Sequence, residues 1–216
     1  MSKKPTQLDP RIRRTLHVIR DALIFLMNEK GFDHVTVRDI TERAEINRAT
    51  FYLHFQDKHD LLEKIVNELM HEFMNAFQLP SGFEVGDFYM DADEPPPSFI
   101  RQFEHIAQYA PFYKVMLGPN GLPGFAMRME NIIRDSLYQR STIAQPHDRH
   151  LTIPRDMIIR YSTSAHLGLI MYWLEKDMPY TPVYMATQLK RLHLLGPTNV
   201  NGVIHSQAGK NDDAGV

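Results

Sequence analysis

A chain of 216 residues is long enough to bury a sizeable core in one domain or two. It has no cysteine, which excludes a disulfide framework and a thiolate metal site. Its net charge of −2 excludes a uniformly basic coat protein but leaves room for a local basic face. The opening M-S-K-K-P-T lacks the apolar stretch of a signal peptide, and wholly apolar runs such as 22–27 are far too short to span a bilayer. A soluble, cytoplasmic protein with no membrane partner is expected.

In chain order, the first helix is predicted from near Asp9 or Arg11 to Lys30. Ile12, Leu16, Ile19, Leu23 and Leu26 form its apolar stripe, and Gly31 is expected to end it as a left-handed cap. Thr36 opens a second, short helix. Asp39 follows three residues on, the spacing of a capping box, and Val37, Ile40 and Ala44 give the helix one apolar face. After a tight turn at Glu45, Asn47 opens a third helix by offering its side chain to the amides that follow. Phe51 and Phe55, four apart, are expected to bury against the second helix. Arg48, Thr50, Tyr52 and His54 are left to project. A short helix presenting a cation, a hydroxyl, a phenol and an imidazole suits insertion into a DNA major groove. By spacing alone, a helical hairpin with solvated polar residues is an equal reading.

A long helix is predicted from Lys58 to Phe77, with Leu61, Ile65, Leu69, Phe73 and Phe77 at four-residue steps beside Leu62, Val66, Met70 and Met74. That double stripe is wide enough to pack on two bodies and so to link them. Residues 80–97 read as an exposed loop closed by three prolines. Further helices are predicted at 98–109, 111–117 and 125–140. The stretch 141–153 reads as a loop, a helix follows from Pro154 to Lys176, and a last one runs from Pro182 to Leu195. Residues 197–216 read as a disordered tail. No strand pattern appears, so the fold class is all-α. The expected division is a three-helix DNA-binding domain at 1–57 and a larger regulatory and dimerisation domain at 58–196.

Charge is uneven along the chain: residues 1–64 carry 12 Lys plus Arg against 10 Asp plus Glu, and the remainder is net acidic. Lys3, Lys4, Arg11, Arg13 and Arg14 form a basic start that suits either phosphate contact or a solubilising tail. The helix over 157–174 is apolar nearly all round in its second half, which calls for cover on more than one side. A second subunit and a fully buried helix in a monomer both satisfy that demand. Phe103, Phe112, Met116, Met127, Tyr161 and Trp173 are candidates to line a ligand cavity, with plain core packing as the competing reading. His147, Asp148 and His150 are metal-ligand types, but they lie in a polar loop without a rigid scaffold, so no metal is assigned. There is no Walker loop, no nucleophile elbow and no dinucleotide fingerprint. Neither an enzyme activity nor a cofactor is expected.

The ordered set T-V-x-x-I-x-x-x-A (36–44) followed by T-F-Y-x-H-F-x-x-K (50–58) resembles the DNA-binding domain of the tetracycline-repressor (TetR) family of bacterial transcription regulators. The resemblance runs from Leu16 to Leu62 and also takes in Ala22, Leu26, Gly31, Phe32 and Leu61. It implies a double-stranded DNA operator as partner, with Arg48, Ala49, Thr50 and Tyr52 at the major groove. Thr36, Arg38, Asn47, His54 and Lys58 complete the contact set, and Tyr52 and Lys58 match positions that grip phosphates. It further implies a homodimer built by the last two long helices, and an effector-responsive repressor answering to a small molecule. Glu45 departs from the pattern, standing where the family usually has glycine. The segment 99–117 and the later Gly168…Trp173-Leu174 are more weakly similar to regulators of the dihydroxyacetone-kinase-activator type. That similarity implies an alternative, a regulator, activators included, whose C-terminal domain is controlled by a protein partner.

Overall fold

The computed structural model describes residues 9–78, 93–145 and 147–200. The basic start at 1–8, most of the proline-closed loop and residues 201–216 lie outside the described residues. Within them the structure is helical and without strands. The helices are α1 (Pro10–Lys30), α2 (Val37–Arg43), α3 (Arg48–Tyr52), α4 (Lys58–Ala76), α5 (Pro97–Gln108), α6 (Ala110–Leu117), α7 (Phe125–Ala144), α8 (Arg155–Glu175) and α9 (Pro182–Val200).

The N-terminal helices start where local chemistry closes their free amides. Asp9 accepts from the Arg11 amide at 2.8 Å with Pro10 in the first turn of α1. Thr36 and Asp39 form both halves of the capping box on α2. Asn47 accepts from the Ala49 amide at 2.8 Å to open α3, and Asp57 accepts from His59 and Asp60 to open α4. Gly31 ends α1 with φ 76 and ψ 152, a positive but extended conformation rather than the expected left-handed one. That geometry turns the chain directly into a short 3-10 turn at Phe32–His34.

Helix α4 is buried along two faces, through Leu61, Leu62, Ile65, Val66, Leu69, Met70 and Phe73. It contacts α1 on one side and α5 and α7 on the other, so one continuous core runs from α1 into the C-terminal helices. Each large side chain fully buried there contributes roughly 1.5–3 kcal/mol. The C-terminal body pairs α7 with α8 and α9 with α5, and α6 bridges back to α1. His105 on α5 and Tyr113 on α6 share a 2.8 Å hydrogen bond inside that core, where burial depresses the imidazole pKa and raises that of the phenol.

Two predicted boundaries shift. Helix α7 runs on through Ala144, four residues past its expected end. The cause is Arg155, buried at the start of α8, which donates to Ser141 Oγ, the Gln145 carbonyl and the Asp148 carboxylate. That clamp fixes the turn between the helices and occupies Asp148 with an ion pair of 2.6 Å. In α9 the expected break falls at Gly196 (φ 69, ψ 165), but helical turns resume to Val200. The tail expected from 197 is therefore helical in its first residues.

Candidate nucleic-acid interface

The turn between α2 and α3 is closed by two backbone hydrogen bonds, Glu45 N–H to the Glu42 carbonyl at 3.2 Å and Ile46 N–H to the Thr41 carbonyl at 3.0 Å. Glu45 itself sits at φ 54, the left-handed region that a side chain adopts at a cost of roughly 1 kcal/mol. The turn thus keeps its shape and carries the strain. Phe51 is completely buried and Phe55 nearly so, their rings 5.5 Å apart, and they anchor α3 against the core as the spacing predicts.

With those anchors inside, α3 turns Arg48, Ala49 and Tyr52 to solvent and leaves Thr50 half-buried. Tyr52 is 50% exposed, and its ring meets Phe51 edge-on at 5.5 Å, which fixes the phenol's direction. Arg48 makes no hydrogen bond or ion pair with the described residues. Thr36 and Arg38 are exposed at the start of α2, but both already have partners. The Thr36 hydroxyl serves the capping box, and Arg38 Nε donates to Glu42 at 2.6 Å, which raises the guanidinium pKa.

Two of the expected contact residues are placed differently. Lys58 turns inward, donating from Nζ to the carbonyls of Phe32 at 2.9 Å and Asp33 at 3.0 Å, with the ammonium 4.7 Å from the Phe32 ring. It satisfies the carbonyls of the 3-10 turn and ties α4 to it. His54 is half-buried beside Phe55 and lines the cleft behind the reading head. Arg43, not singled out from the sequence, lies 3.4 Å over the Phe25 ring and pins α2 on α1. Lys30 does similar work through a 2.8 Å ion pair with Asp39. Neither partner is near in sequence, so periodicity gave no sign of them.

The six candidate ligand residues do not share a cavity. Phe103 and Trp173 meet edge-on at 5.4 Å, and Phe112 packs on Phe125 at 5.5 Å. Both pairs and Met116 are buried core. Met127 and Tyr161 are instead 61% and 59% exposed. A cleft of about 1340 Å³ lies elsewhere, between α1, α4 and α6, and only Phe112 of the six lines it. Aromatic and methionine side chains at helical spacing satisfy core packing and cavity lining equally, and tertiary placement decided for packing.

Family comparison agrees with this architecture. Residues 19–65 match the model for bacterial regulatory proteins of the tetR family, and residues 93–194 match a transcriptional regulator C-terminal region assigned to the same family. The chain is 22% identical over 164 residues to an uncharacterised helix-turn-helix transcriptional regulator, YxbF, of Bacillus subtilis, a match covering 76% of this chain and 40% of that protein. Over 57 residues it is 33% identical to IcaR of Staphylococcus epidermidis, a negative regulator of the biofilm operon icaADBC, covering 26% of this chain and 31% of that one. The chain thus spans well under half the length of the curated relatives it matches. Among solved structures, the dihydroxyacetone kinase operon activator DhaS superposes with a TM-score of 0.55 at 18% identity, covering 83% of this chain and 94% of that one. The fatty acid degradation regulator FadR from Bacillus halodurans gives 0.57 at 17% identity, covering 91% and 98%. At such identities the superpositions speak for the fold alone. With family models matching both its reading head and its C-terminal body, the chain belongs to the tetR family of bacterial regulatory proteins.

Proposed function

We propose that this protein is a dimeric, effector-responsive transcription repressor that reads an operator with α3. The observation that carries the reading is the short capped helix that buries Phe51 while holding Arg48, Ala49 and Tyr52 outward. In this reading Arg48, Ala49 and Thr50 meet base edges, while Tyr52 and the exposed ends of α2 at Thr36 and Arg38 meet phosphates. Asn47 and Lys58 act by positioning, the first as the cap of α3 and the second as the tie beneath it. The likeness of the N-terminal region to a negative regulator supports repression as the sign of control. Titrating labelled duplexes from the promoter upstream of its own coding region checks the reading. Saturable, sequence-selective binding that Arg48→Ala weakens is expected, and binding indifferent to sequence would overturn it.

Dimerisation is supported by the outer faces of α8 and α9. Met157, Tyr161 and Tyr172 on α8 and Val183 and Tyr184 on α9 are exposed, a density of apolar side chains that a second subunit would cover. Leu189, by contrast, is 1% exposed inside the protomer, so a charge there would unfold the body rather than separate the subunits. Tyr161→Glu with Val183→Glu is therefore the informative variant. Sedimentation should show monomers, with operator affinity lost because one α3 reads too few bases. A wild-type chain that sediments as a monomer at micromolar concentration would sink the dimer.

A further inference from the structure

The core of the C-terminal body holds a group of polar side chains that the protein does not satisfy. His166 on α8 is fully buried, and neither ring nitrogen has a hydrogen-bond partner. Gln102 on α5 is equally buried with both amide atoms unpartnered, and Thr163, one turn before His166, has a buried hydroxyl in the same condition. Arg140 on α7 spends Nη2 on the Phe77 carbonyl and Ser98 Oγ, leaving Nε and Nη1 enclosed without an acceptor. His193 on α9 is half-buried as a residue, its Nδ1 on the Leu189 carbonyl and its Nε2 enclosed and unpartnered.

Arg140, His166 and His193 gather around one ring, and Gln102 and Thr163 each lie three residues along the helix from Phe99 and His166. The Phe99 ring lies 5.8 Å from His166, 5.9 Å from His193 and 5.5 Å from the Arg140 guanidinium, and the two imidazoles are 6.3 Å apart. Phe77 and Phe103 complete an aromatic wall around His166, at 6.0 and 6.3 Å. Four helices thus converge on a cluster of buried polar groups with aromatic sides.

A buried polar atom without a partner destabilises a fold, and a buried charge does so more, so natural cores rarely keep several together unless something else completes them. The charge here is positive. Burial and the neighbouring Arg101 hold the Arg140 pKa down to about 10, still cationic at neutral pH. Burial drives His166 well below its ordinary value and lowers His193, with Arg140 adding to both, so the imidazoles stay neutral. His166 has one N–H to offer, whereas His193 donates its own to the Leu189 carbonyl and leaves Nε2 as an acceptor. Among the described residues, the charged neighbours acting on these three groups are cationic, and no carboxylate is among them. A metal ion would meet the Arg140 charge without an anionic ligand to offset it. One cation, several neutral donors and an aromatic wall instead match a monoanion with an apolar body.

We infer that Gln102, Arg140, Thr163, His166 and His193 form a binding site for a small carboxylate whose apolar part lies against Phe77, Phe99 and Phe103. The carboxylate accepts from Arg140 and an imidazole N–H and supplies the charge that the core lacks. This binding does not depend on the operator reading, because it is measured without DNA.

The test titrates the full chain with benzoate and butyrate, and in a parallel arm with inorganic phosphate, following melting temperature and binding heat. A saturable rise with a carboxylate and none with phosphate is expected. His166→Phe keeps the ring volume among aromatic neighbours and removes two unpartnered nitrogens. It should melt above the wild type without ligand and bind the carboxylate at least about tenfold more weakly. Arg140→Met should abolish binding and Arg140→Lys should retain part of it. If Arg140→Met fails to fold, His166→Phe and Gln102→Leu carry the test. No saturable response to either carboxylate would overturn the site, leaving water as its occupant. Phosphate binding as tightly as the carboxylates would overturn the ligand class, and unchanged binding in His166→Phe would remove the assignment of residues.

Discussion

The N-terminal helices and the C-terminal body treat polar side chains in opposite ways. At the reading head, polar groups sit at helix starts or on the surface, and many are satisfied by residues two to four positions away, as in Thr36 with Asp39 and Asn47 with Ala49. In the C-terminal body, Gln102, Thr163 and His166 are buried without a partner, and Arg140 finds its acceptors 42 and 63 residues away. The reading head is therefore built to hold a rigid shape and present chemistry outward. The body carries polar cost inside. Helix α4 is buried against both, on α1 and on α5 and α7, and so joins the two.

The contrast can be broken first at the anchor of the reading head. Phe51→Ala empties a fully buried aromatic site and should cost about 3–5 kcal/mol, because the cavity left behind cannot collapse fully. Chemical denaturation of the full chain measures it. A loss under about 1 kcal/mol would mean that α3 is held by something other than its aromatic face.

Next in size is the division of labour within the head. Arg48→Ala should cost about 1–3 kcal/mol on the cognate duplex and relax sequence preference at one position. Lys58→Ala should instead lower the stability of the head by leaving the Phe32 and Asp33 carbonyls unpartnered, with the salt slope of DNA binding unchanged. Affinity against salt concentration for both variants separates the roles. A salt slope reduced by about one unit in Lys58→Ala would restore that residue to the phosphate-contact set.

A smaller effect, of opposite sign, is expected at the turn. Glu45→Gly relieves the left-handed strain and should stabilise the head by up to about 1 kcal/mol, partly offset by the entropy of the added glycine. It also removes a carboxylate from the DNA-facing end, so operator affinity should rise slightly at low salt. A destabilised variant would show that Glu45 is held by interactions outweighing its strain.

The smallest effect is a pH dependence. The hydrogen bond from Lys30, then those from Thr36, lower the Asp39 pKa to about 2. A carboxylate depressed in this way contributes stability that is present in full above its ordinary value and lost as pH falls through about 2. The difference in helical circular dichroism stability between wild type and Asp39→Asn should therefore be constant above pH 5 and shrink between about 4 and 2. A difference that persists at pH 2 would break the link to that carboxylate.

Much of the reading head was legible from residue order, because its signals are local. Capping boxes act over three residues, and the burial of Phe51 and Phe55 follows from a spacing of four on one helix. What lay beyond reach there were the ties between distant segments, Lys58 to the 3-10 turn and Arg43 to Phe25, since nothing in a helical period encodes a partner 18 or 26 residues away. In the body even the sense of a side chain changed. Tyr161 and Met127, cavity candidates by residue type, are surface residues, whereas His166 is fully buried among aromatic rings.

The sequence by itself determined where the helices lie, the N-terminal caps of the first four, the turn at Glu45 and the exposure of Arg48 and Tyr52 on α3, because each depends on interactions within a few residues of the backbone. Tertiary structure alone decided which apolar residues line the core, that Arg155 lengthens α7, and that four helices bring Arg140, His166 and His193 around one Phe99 ring. Those outcomes turn on how helix faces rotate against one another. A rotation of one residue's worth, about 100°, exchanges buried for exposed without altering the pattern that a sequence displays.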